Sequence, residues 1–569
     1  MKLLKVNDQL SISGQLQAAD IESLLREGVQ LLLCNRPDGE ESGQPTFAEL
    51  AIAAQAVGIE AVHIPFKSGE MHAAQVADMV RLENDNLRMH AFCRTGNRSF
   101  CLHAAAHASS GKPLEEILQQ AEKVGIAVKK IVAPYYEDAN KAMNTETTND
   151  KANDAAVSTY DVLIVGAGSG GIAAASSLQK RDRGLRIALI DPAEVHYYQP
   201  GWTMVGGGVF DVQTTKRKMQ DLIPSNVSWI KQAVSGFQPS ESQVELADGS
   251  RVAYRQLIVA PGLKIDWDGI EGLKQSLGKN GVTSNYSFDL APYTWDLVTK
   301  LKKGKAIFTQ PPMPIKCAGA PQKALYLSCD HWLRNDVLKS IDVEFCNAGG
   351  VLFGVKDYVP ALQSYIDRYG VNANYFHNLE AIDGDEKIAY FKLSSGEKEG
   401  ERIAKPFDMI HVCPPQCAPD FIANSELAGE GGWLEVDQFS LRHSRFDNVW
   451  GLGDVMNTPN AKTMAAVRKQ VPVVAENIIA TLNDKPMRAG YDGYGSCPLT
   501  VEKGKIVLAE FGYGGKVIPT FPTWMLKGTT ATRAAWMLKK DILPGIYWNA
   551  MLKGREWMAG PADLEKLRE

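Results

Sequence analysis

The chain has 569 residues, 45% of them hydrophobic and 22% charged, a composition typical of folded proteins and a length sufficient for about four domains of roughly 150 residues. The formal net charge of -5 argues against a generally nucleic-acid-binding surface, so no nucleic-acid partner is expected. The nine cysteines are scattered, no signal-like segment opens the chain and no run of 18 apolar residues occurs, which predicts a non-secreted protein without a membrane span and with reduced cysteines.

Residues 1–139 alternate between strand-like and helix-like segments. Apolar runs at 30–34, 61–66 and 87–92 predict buried strands, and amphipathic patterns at 47–56 and 114–124 predict helices. This alternation predicts a small α/β domain with a mostly parallel sheet. Residues 140–158 are polar and nearly devoid of large apolar side chains, so they are predicted to be a linker.

The N-terminal domain carries a cysteine loop, CRTGNRS, between a predicted strand and a predicted helix. Backbone N–H groups at a helix N-terminus lower the pKa of a cysteine, which makes Cys93 a candidate nucleophile. The loop resembles those of cysteine phosphatases and of rhodanese sulfurtransferases. Arg98 follows Cys93 by five positions rather than six, a smaller ring that suits a sulfur atom better than a phosphate.

Residues 35–40, NRPDGE, and the layout of the domain resemble instead the phosphatase-like domain found beside sulfur-detoxifying enzymes. We therefore expect Cys93 and Arg98 to handle a persulfide. A phosphatase, with Glu70 as a weak candidate for the general acid, and an inactive, docking or sensing domain are the alternatives.

A glycine turn opens the larger C-terminal part. The strand 160–165 is followed by GAGSGG, with Gly166, Gly168, Gly170 and Gly171, then by a helix and a second strand ending at Asp191. In this context the first glycine permits a tight turn, the second lets a pyrophosphate approach the backbone and the third lets helix and strand pack closely. A carboxylate at position 191 accepts hydrogen bonds from ribose hydroxyls, so the sequence predicts an FAD site.

Two later segments favour a flavoprotein of the two-dinucleotide type. LIVAPG at 257–262 contains Ala260 and Gly262, and VWGLGD at 449–454 contains Gly453 and Asp454. Both resemble segments that line the cofactor in such proteins. The FAD-binding domain is accordingly predicted to comprise residues 159–262 and 405–480.

The intervening residues 263–404 are predicted to form a second Rossmann-like domain, but without a nicotinamide site. The strand 306–310 is followed by PPMPIKCAGAPQK instead of a glycine fingerprint. Two prolines and a lysine stand where a pyrophosphate needs bare backbone. Cys317 occupies that place.

The segment IKCAGAPQK around Cys317 is similar to the active-site cysteine segment of mitochondrial-type sulfide:quinone oxidoreductases. The resemblance extends over about residues 158–560. Further motifs that carry it are HYYQPGW, FGVK, HVCPP, PNAKT, YDGY and YWNAMLKG. The resemblance implies FAD-dependent oxidation of sulfide at Cys317, with quinone as electron acceptor. A small, glutathione-like thiol is expected to receive the sulfur from the Cys93 domain. The resemblance also places Gln199, Val234 and Asp420 near FAD.

One departure affects this chemistry. The family's second cysteine follows the GD pair, and that position is Val455 here. Cys413 or Cys417 is a candidate substitute, although both also fit small buried residues, and Cys497 has no evident partner. The C-x3-C spacing of Cys413 and Cys417 has no matching second pair, so no metal is expected.

Residues 481–569 are predicted to form a helical quinone and membrane interface. The segment contains Trp524, Trp536, Trp548 and Trp557 among the basic residues Lys527, Arg533, Lys539, Lys540, Lys553 and Arg555. Interfacial helices need such faces, which predicts a cytoplasmic protein peripheral to the inner side of the membrane. A hairpin packed on the body and a homodimer contact are the alternatives.

The full expectation is an α/β chain with a cysteine-phosphatase-like domain followed by a Rossmann-like flavoprotein. Sulfide would be oxidised at Cys317, and Cys93 would pass the sulfur on. A quinone reductase with a different electron donor remains the alternative, because the second cysteine of the family is missing.

Overall fold

The computed structural model describes residues 3–41, 43–67, 71, 73–84, 87–110, 112–126, 128, 131–132 and 158–569. The chain divides into two compact units, Met1–Ala155 and Ala156–Glu569. The predicted linker, residues 140–158, lies outside the described residues except for Ser158, and Glu70 also lies outside them.

The first unit is an α/β domain built on one five-stranded sheet, as predicted. Leu31 and Leu33 pack into one hydrophobic core, whereas Leu32 and Cys34 pack into another. Because side chains alternate along a strand, this central strand is buried on both faces, as expected for a sheet covered by helices. All strand pairs are parallel except that of the edge strand Leu4–Lys5. In sheet order the strands are Leu4–Lys5, Leu10–Ser13, Met89–Phe92, Leu31–Cys34 and Glu60–His63. The helices are Ile21–Arg26, Phe47–Ala56, Ala73–Asn84, Asn97–Ser109 and Leu114–Val124.

The second unit contains a seven-stranded sheet that carries the glycine turn. Five strands are parallel, and two antiparallel strands extend one edge. The strand Arg251–Val259 lies between Thr159–Val165 and Val449–Gly451, which brings three segments from distant parts of the sequence to one sheet edge. The strands are Val227–Ile230, Ile187–Ile190, Thr159–Val165, Arg251–Val259, Gln243–Leu246, Val234–Gln238 and Val449–Gly451. The helices Ser169–Arg181 and Met464–Leu482 pack together beside this sheet.

A second, fully parallel five-stranded sheet follows in the same unit. Its strands, in sheet order, are Val282–Thr283, Met409–His411, Gly304–Gln310, Ile341–Asn347 and Asn372–Tyr375. The associated helices are Leu290–Lys300, Ala320–Arg334 and Val359–Tyr369. An antiparallel sheet adds His377–Asp383, Ile388–Leu393 and Arg402–Pro406. Shorter elements are the strands Val195–Tyr197, Lys216–Lys218, Lys264–Ile265 and Gln416–Cys417 and the helices Trp202–Gly206, Leu273–Ser276 and Asp420–Ala423.

The C-terminal residues contribute to the body of this unit. The hairpin Gly495–Glu502 and Lys505–Phe511 shares a hydrophobic core with the helix Ala320–Arg334, through Cys497, Leu499 and Val501. Short elements complete the chain: the strands Ala489–Gly490 and Ala562–Asp563, the helices Arg533–Met537, Leu543–Asn549 and Leu564–Arg568, and a π-helical turn Leu538–Ile542. In the described part of the chain, no helix combines the length and apolar composition needed to cross a bilayer.

Candidate active site

The glycine turn has the geometry that a dinucleotide requires. Gly166 has φ +96°, and a Cβ there would lie 2.6 Å from the carbonyl oxygen of Ala260. A Cβ on Gly171 would lie 1.8 Å from the carbonyl oxygen of Gly166, so only glycine allows this approach of helix and strand. Gly168 precedes the helix Ser169–Arg181 and faces open space, where a Cβ would meet nothing within 4 Å.

A cleft of about 420 Å³ extends from this turn. Most of the residues that sequence reasoning assigned to FAD line it, namely Gly168, Gly170, Asp191, Gln199, Ala260, Gly262, Gly453 and Asp454. The Asp191 carboxylate accepts hydrogen bonds from the backbone N–H groups of Ala167 (2.7 Å) and Ala193 (2.8 Å), which hold it at the end of its strand.

Two further residues that the resemblance places near FAD are not among those that line the cleft. Val234 begins an antiparallel edge strand and pairs with Leu246, away from the lining of the cleft. Asp420 is exposed and forms an ion pair of 2.7 Å with Lys264. Their assignment to the cofactor, which the resemblance implies, stays a prediction.

The side chains of the cleft fit a bound flavin dinucleotide. No side chain of residues 158–569 caps the helix Ser169–Arg181, so its first N–H groups remain available to phosphate oxygens. The amide of Asn285 and the indole N–H of Trp202 are buried in the cleft wall without a hydrogen-bond partner among the described residues. Buried polar groups of this kind are normally paired, which indicates that a polar ligand completes the cleft.

Cys317 lies in the same cleft, directly before a helix. Its φ is +53°, and its backbone N–H donates to the carbonyl oxygen of Lys462 at 2.8 Å. The chain between the strand Gly304–Gln310 and the helix Ala320–Arg334 thus presents a sulfur atom where a nicotinamide-binding domain would have a glycine turn.

A second sulfur atom and a buried cation contact Cys317. Its Sγ lies 3.1 Å from Sγ of Cys497 and 3.0 Å from Nζ of Lys323. Cys497 is 2% exposed and Lys323 is 3% exposed. The expectation that Cys497 has no partner is wrong, because the C-terminal hairpin carries it across 180 residues of sequence to Cys317.

The charges around this cysteine favour its thiolate. The hydrogen bond with Cys497 lowers the pKa of Cys317 well below its usual value; burial opposes this effect, and the positive charges of Lys323 and Lys539 add to it. The same contact raises the pKa of Cys497. Lys539 was expected at a membrane surface, but it is 4% exposed, and burial lowers its pKa to about 8.

The other sulfur candidates are held apart from this contact. Cys413 packs with Tyr286 and Ile315, and burial raises its pKa to about 12. Cys417 is half-buried in a strand that pairs with Lys264. Val455, which stands at the position of the family's second cysteine, is completely buried in the core of the seven-stranded sheet.

The sequence patterns did not indicate a role for Lys323, although it belongs to the segment IKCAGAPQK around Cys317. It occupies the first turn of the helix Ala320–Arg334, which Gly319 precedes. A lysine one or two turns after a nucleophilic cysteine at a helix start is the signal that could have indicated it.

Apolar side chains of the C-terminal residues line another part of the cleft. They are Phe521, Leu538, Leu543, Ile546, Trp557 and Met558. Trp524 and Trp557 are 85% and 65% exposed, whereas Trp548 packs against Tyr547 and under Arg217. The tryptophans therefore divide into exposed and packed groups, and the interfacial role of the exposed group stays a prediction.

In the first unit, Cys93 lies below the N-terminus of the helix Asn97–Ser109. Gly96 has φ +92°, and its N–H donates to Cys93 Sγ at 3.2 Å. Burial acts to raise the pKa of Cys93, but backbone N–H groups of the loop, including those of Ser99 and Thr95, outweigh it and lower the pKa. The loop is therefore built to hold a sulfur anion.

Arg98 is engaged by a carboxylate. Its guanidinium donates to both oxygens of Glu40 at 2.7 Å and to the carbonyl oxygen of Phe66 at 2.7 Å. Arg36, which is 1% exposed, binds the same carboxylate at 2.9 Å. These two arginines lower the pKa of Glu40 to about 2, with the hydrogen bond from Arg98 as the largest cause.

Comparisons with known proteins agree with this division. Residues 2–110 match the family described as beta-lactamase hydrolase-like protein, phosphatase-like domain, and residues 160–292 match pyridine nucleotide-disulphide oxidoreductase. The mitochondrial sulfide:quinone oxidoreductase of Dictyostelium discoideum is 41% identical over 69% of this chain and 86% of its own length. That of Mus musculus is 38% identical over 72% of this chain and 89% of its own length.

The solved structure of the sulfide:quinone oxidoreductase from Aquifex aeolicus has a similar fold. It superposes with a TM-score of 0.57 at 17% identity, covering 70% of this chain and 92% of that one. At this identity the likeness concerns the fold of the second unit.

Proposed function

This chain belongs to the sulfide:quinone oxidoreductase family, and we propose that its second unit binds FAD and oxidises sulfide to sulfane sulfur, with quinone as the electron acceptor. The observation that carries the proposal is the position of Cys317 in the dinucleotide cleft, in contact with the buried ammonium group of Lys323. A sulfur nucleophile stabilised as an anion beside a flavin site is what sulfide oxidation needs.

The residues of the cleft have separable tasks. Gly168 and the helix N-terminus would hold the pyrophosphate of FAD, Asp191 the ribose, and Asp454 the ribityl chain. When bound, FAD supplies the two-electron acceptor that links sulfur chemistry to quinone. Lys323 stabilises negative charge on Cys317, where the sulfane sulfur is held as a persulfide.

The apolar part of the cleft would admit the quinone. Leu543, Ile546 and Trp557 line it, and the exposed Trp524 belongs to the same C-terminal segment. Quinones reside in lipid, so exposed tryptophans beside a quinone site support a protein peripheral to a membrane surface.

The first unit would take the sulfur onward. Cys93 combines a lowered pKa with a ring of backbone N–H groups, which suits a persulfide anion. Its sulfur would pass to a small thiol of the glutathione type. Because Cys93 belongs to the same polypeptide chain as the second unit, its effective concentration as an acceptor of the sulfane sulfur formed there is raised.

Phosphatase activity is the second candidate for the first unit, because residues 2–110 match a phosphatase-like family. The pairing of Arg98 with Glu40 weighs against it. A guanidinium that binds a carboxylate through both nitrogens cannot offer the same pair of N–H groups to a phosphate.

The sulfide reaction is tested by rapid anaerobic mixing with sulfide, following flavin absorbance with and without a short-chain quinone. Bleaching and its reversal by quinone are expected for the wild type and not for Cys317→Ser. A wild-type flavin that stays oxidised would refute the proposed function, and bleaching of the variant at the wild-type rate would remove Cys317 from it.

Transfer by the first unit is tested with Cys93→Ser and, as the matched control, Cys101→Ser on the helix that follows the Cys93 loop. Persulfide formation from sulfide and glutathione is expected to fall only in Cys93→Ser, while flavin reduction stays unchanged. Equal transfer by both variants would indicate a docking or sensing role.

A further inference from the structure

We propose that Cys317 and Cys497 form the redox-active cysteine pair of this enzyme, in place of the pair that Val455 prevents. The proposal rests on the sulfide oxidation proposed above and adds a residue to it. The two sulfur atoms come from a helix start in the second parallel sheet and from the C-terminal hairpin, and they lie 3.1 Å apart.

The separation permits a disulfide with little movement. A disulfide bond is about 2.05 Å long, so the two sulfurs need to approach by only about 1 Å. Cys317 lies in a loop with φ +53°, and Cys497 lies in the strand Gly495–Glu502 opposite Ala509. A small rotation of the Cys317 side chain can supply the movement, because this side chain borders the cleft.

The backbone next to Cys317 is adapted to the second sulfur. A Cβ on Gly319 would lie 2.7 Å from Sγ of Cys497 and 2.3 Å from a methyl carbon of Leu499. Any larger residue at 319 would therefore push the hairpin away from the loop. Close approach of these two segments thus depends on a glycine.

A buried cation supports the same assignment. Lys323 is 3% exposed, and no carboxylate of residues 158–569 forms an ion pair with it. An unpaired buried ammonium is costly, so it requires another anion nearby. Cys317 Sγ, at 3.0 Å, is that group when ionised, and the reduced pair provides one thiolate that Lys323 can neutralise.

The pair supports a balanced reaction. Hydrosulfide attacks the Cys317 sulfur of the disulfide, which is the sulfur at the cleft; a new S–S bond forms and Cys497 leaves as a thiolate. An acceptor thiol, which is Cys93 in the pathway proposed above, then takes the outer sulfur as its own persulfide and relays it to a small thiol, and Cys317 is left as a thiolate. When the two thiolates re-form the disulfide, two electrons pass to the flavin. In the net reaction, one hydrogen sulfide and one thiol yield one persulfide, two protons and two electrons.

The alternatives within the cleft region lack this geometry. Cys413 is 1% exposed and contacts the carbonyl oxygen of Pro414, and Cys417 is held in a strand paired with Lys264. Among the described residues, neither sulfur forms a hydrogen bond with Cys317 Sγ or with a lysine ammonium group, whereas Cys317 Sγ contacts both Cys497 and Lys323.

The proposal is tested by peptide mapping of the oxidised enzyme, digested without reduction. A peptide pair joined through Cys317 and Cys497, with or without an extra sulfur atom, is expected, and it should separate after anaerobic treatment with sulfide and glutathione. Absence of any such link overturns the proposal. This measurement does not depend on flavin bleaching, so it stands apart from the test of the proposed function.

Kinetics provide the second test. Cys497→Ser is expected to slow sulfide bleaching of the flavin at least about a hundredfold, because an external thiol must replace a tethered one. Cys329→Ser, a buried cysteine of the helix Ala320–Arg334, is the matched control and should bleach normally. Wild-type bleaching in Cys497→Ser, or its loss in Cys413→Ser instead, contradicts the pair.

The flavin contents of the wild type and of the cysteine variants are compared first. Cys497→Ala replaces Cys497→Ser if the buried hydroxyl of serine disturbs folding. If both variants lose flavin, the wild-type peptide map decides. A wild type that sulfide does not bleach, yet carries the Cys317–Cys497 link, would reject sulfide as substrate while retaining the pair.

Discussion

Replacing Gly171 by alanine tests whether the glycine turn has the packing role that its geometry indicates. The added Cβ would lie 1.8 Å from the carbonyl oxygen of Gly166 and 3.2 Å from a methyl carbon of Leu189. The first contact involves backbone on both sides, so no side-chain rotation can relieve it. The start of the helix Ser169–Arg181 must move away from the strand Thr159–Val165.

The magnitude follows from that displacement. Ordinary carbon–oxygen contact lies above about 3 Å, so the helix start must shift by more than about 1 Å. Overpacking a close-packed interior costs typically about 1–3 kcal/mol, and a backbone clash belongs at the upper end of that range. We expect Gly171→Ala to lower the free energy of unfolding by about 3 kcal/mol and to reduce FAD content at the same time.

Gly168→Ala is the matched variant. Its φ lies in the ordinary negative region, and the added Cβ meets nothing within 4 Å, so unfolding of the apoprotein should be unchanged. FAD affinity should still fall, because the methyl group enters the space proposed for the pyrophosphate. Denaturant unfolding of both apoproteins and fluorescence titration with FAD separate the two effects. Equal stability of Gly171→Ala and wild type would refute the packing argument.

Three further changes have distinct signatures. Lys323→Met removes the cation beside Cys317, so the pKa of this thiol should rise and its alkylation in the reduced enzyme, followed by mass spectrometry, should require higher pH. Glu40→Gln removes the carboxylate that pairs with Arg98. The pKa of Glu40 in the folded protein, about 2, lies below the unfolded value, so the ionised carboxylate stabilises the fold by about 1–2 kcal/mol, discounted for partial exposure. This stabilisation is present above about pH 4.5 and is lost as the pH falls towards 2. Trp524→Ala with Trp557→Ala should weaken binding to lipid vesicles by about tenfold or more.

Each change has its own control. Lys274→Met removes an exposed lysine paired with Asp268 and should leave the alkylation profile of Cys317 unchanged. Hydrogen exchange of the helix Asn97–Ser109, measured as a function of pH, reports how the stability of the first unit falls in acid. Glu40→Gln should make this stability less dependent on pH. A variant whose stability falls in acid as much as that of the wild type contradicts the Glu40 assignment. Ile52→Ala removes an apolar side chain that is 70% exposed in the first unit, and vesicle binding that falls equally there would point to general hydrophobicity.

Local patterns in the sequence indicated the α/β fold of both units and several of the residues that line the cleft. The alternation of apolar runs predicted the parallel sheet of the first unit, and the glycine turn with Asp191 predicted the dinucleotide cleft. These features depend on contacts between near neighbours in sequence. Tight turns and strand periodicity are local properties, so the residues alone carry them.

The identity of the second sulfur depended on tertiary structure. Cys497 lies 180 residues beyond Cys317, and only the packing of the C-terminal hairpin against the helix Ala320–Arg334 brings them together. The burial of Lys539 and the exposed positions of Asp420 and Trp524 were likewise undetermined by composition. Proximity across long sequence separations arises from how sheets, helices and hairpins pack, and a linear pattern of residue types does not contain it.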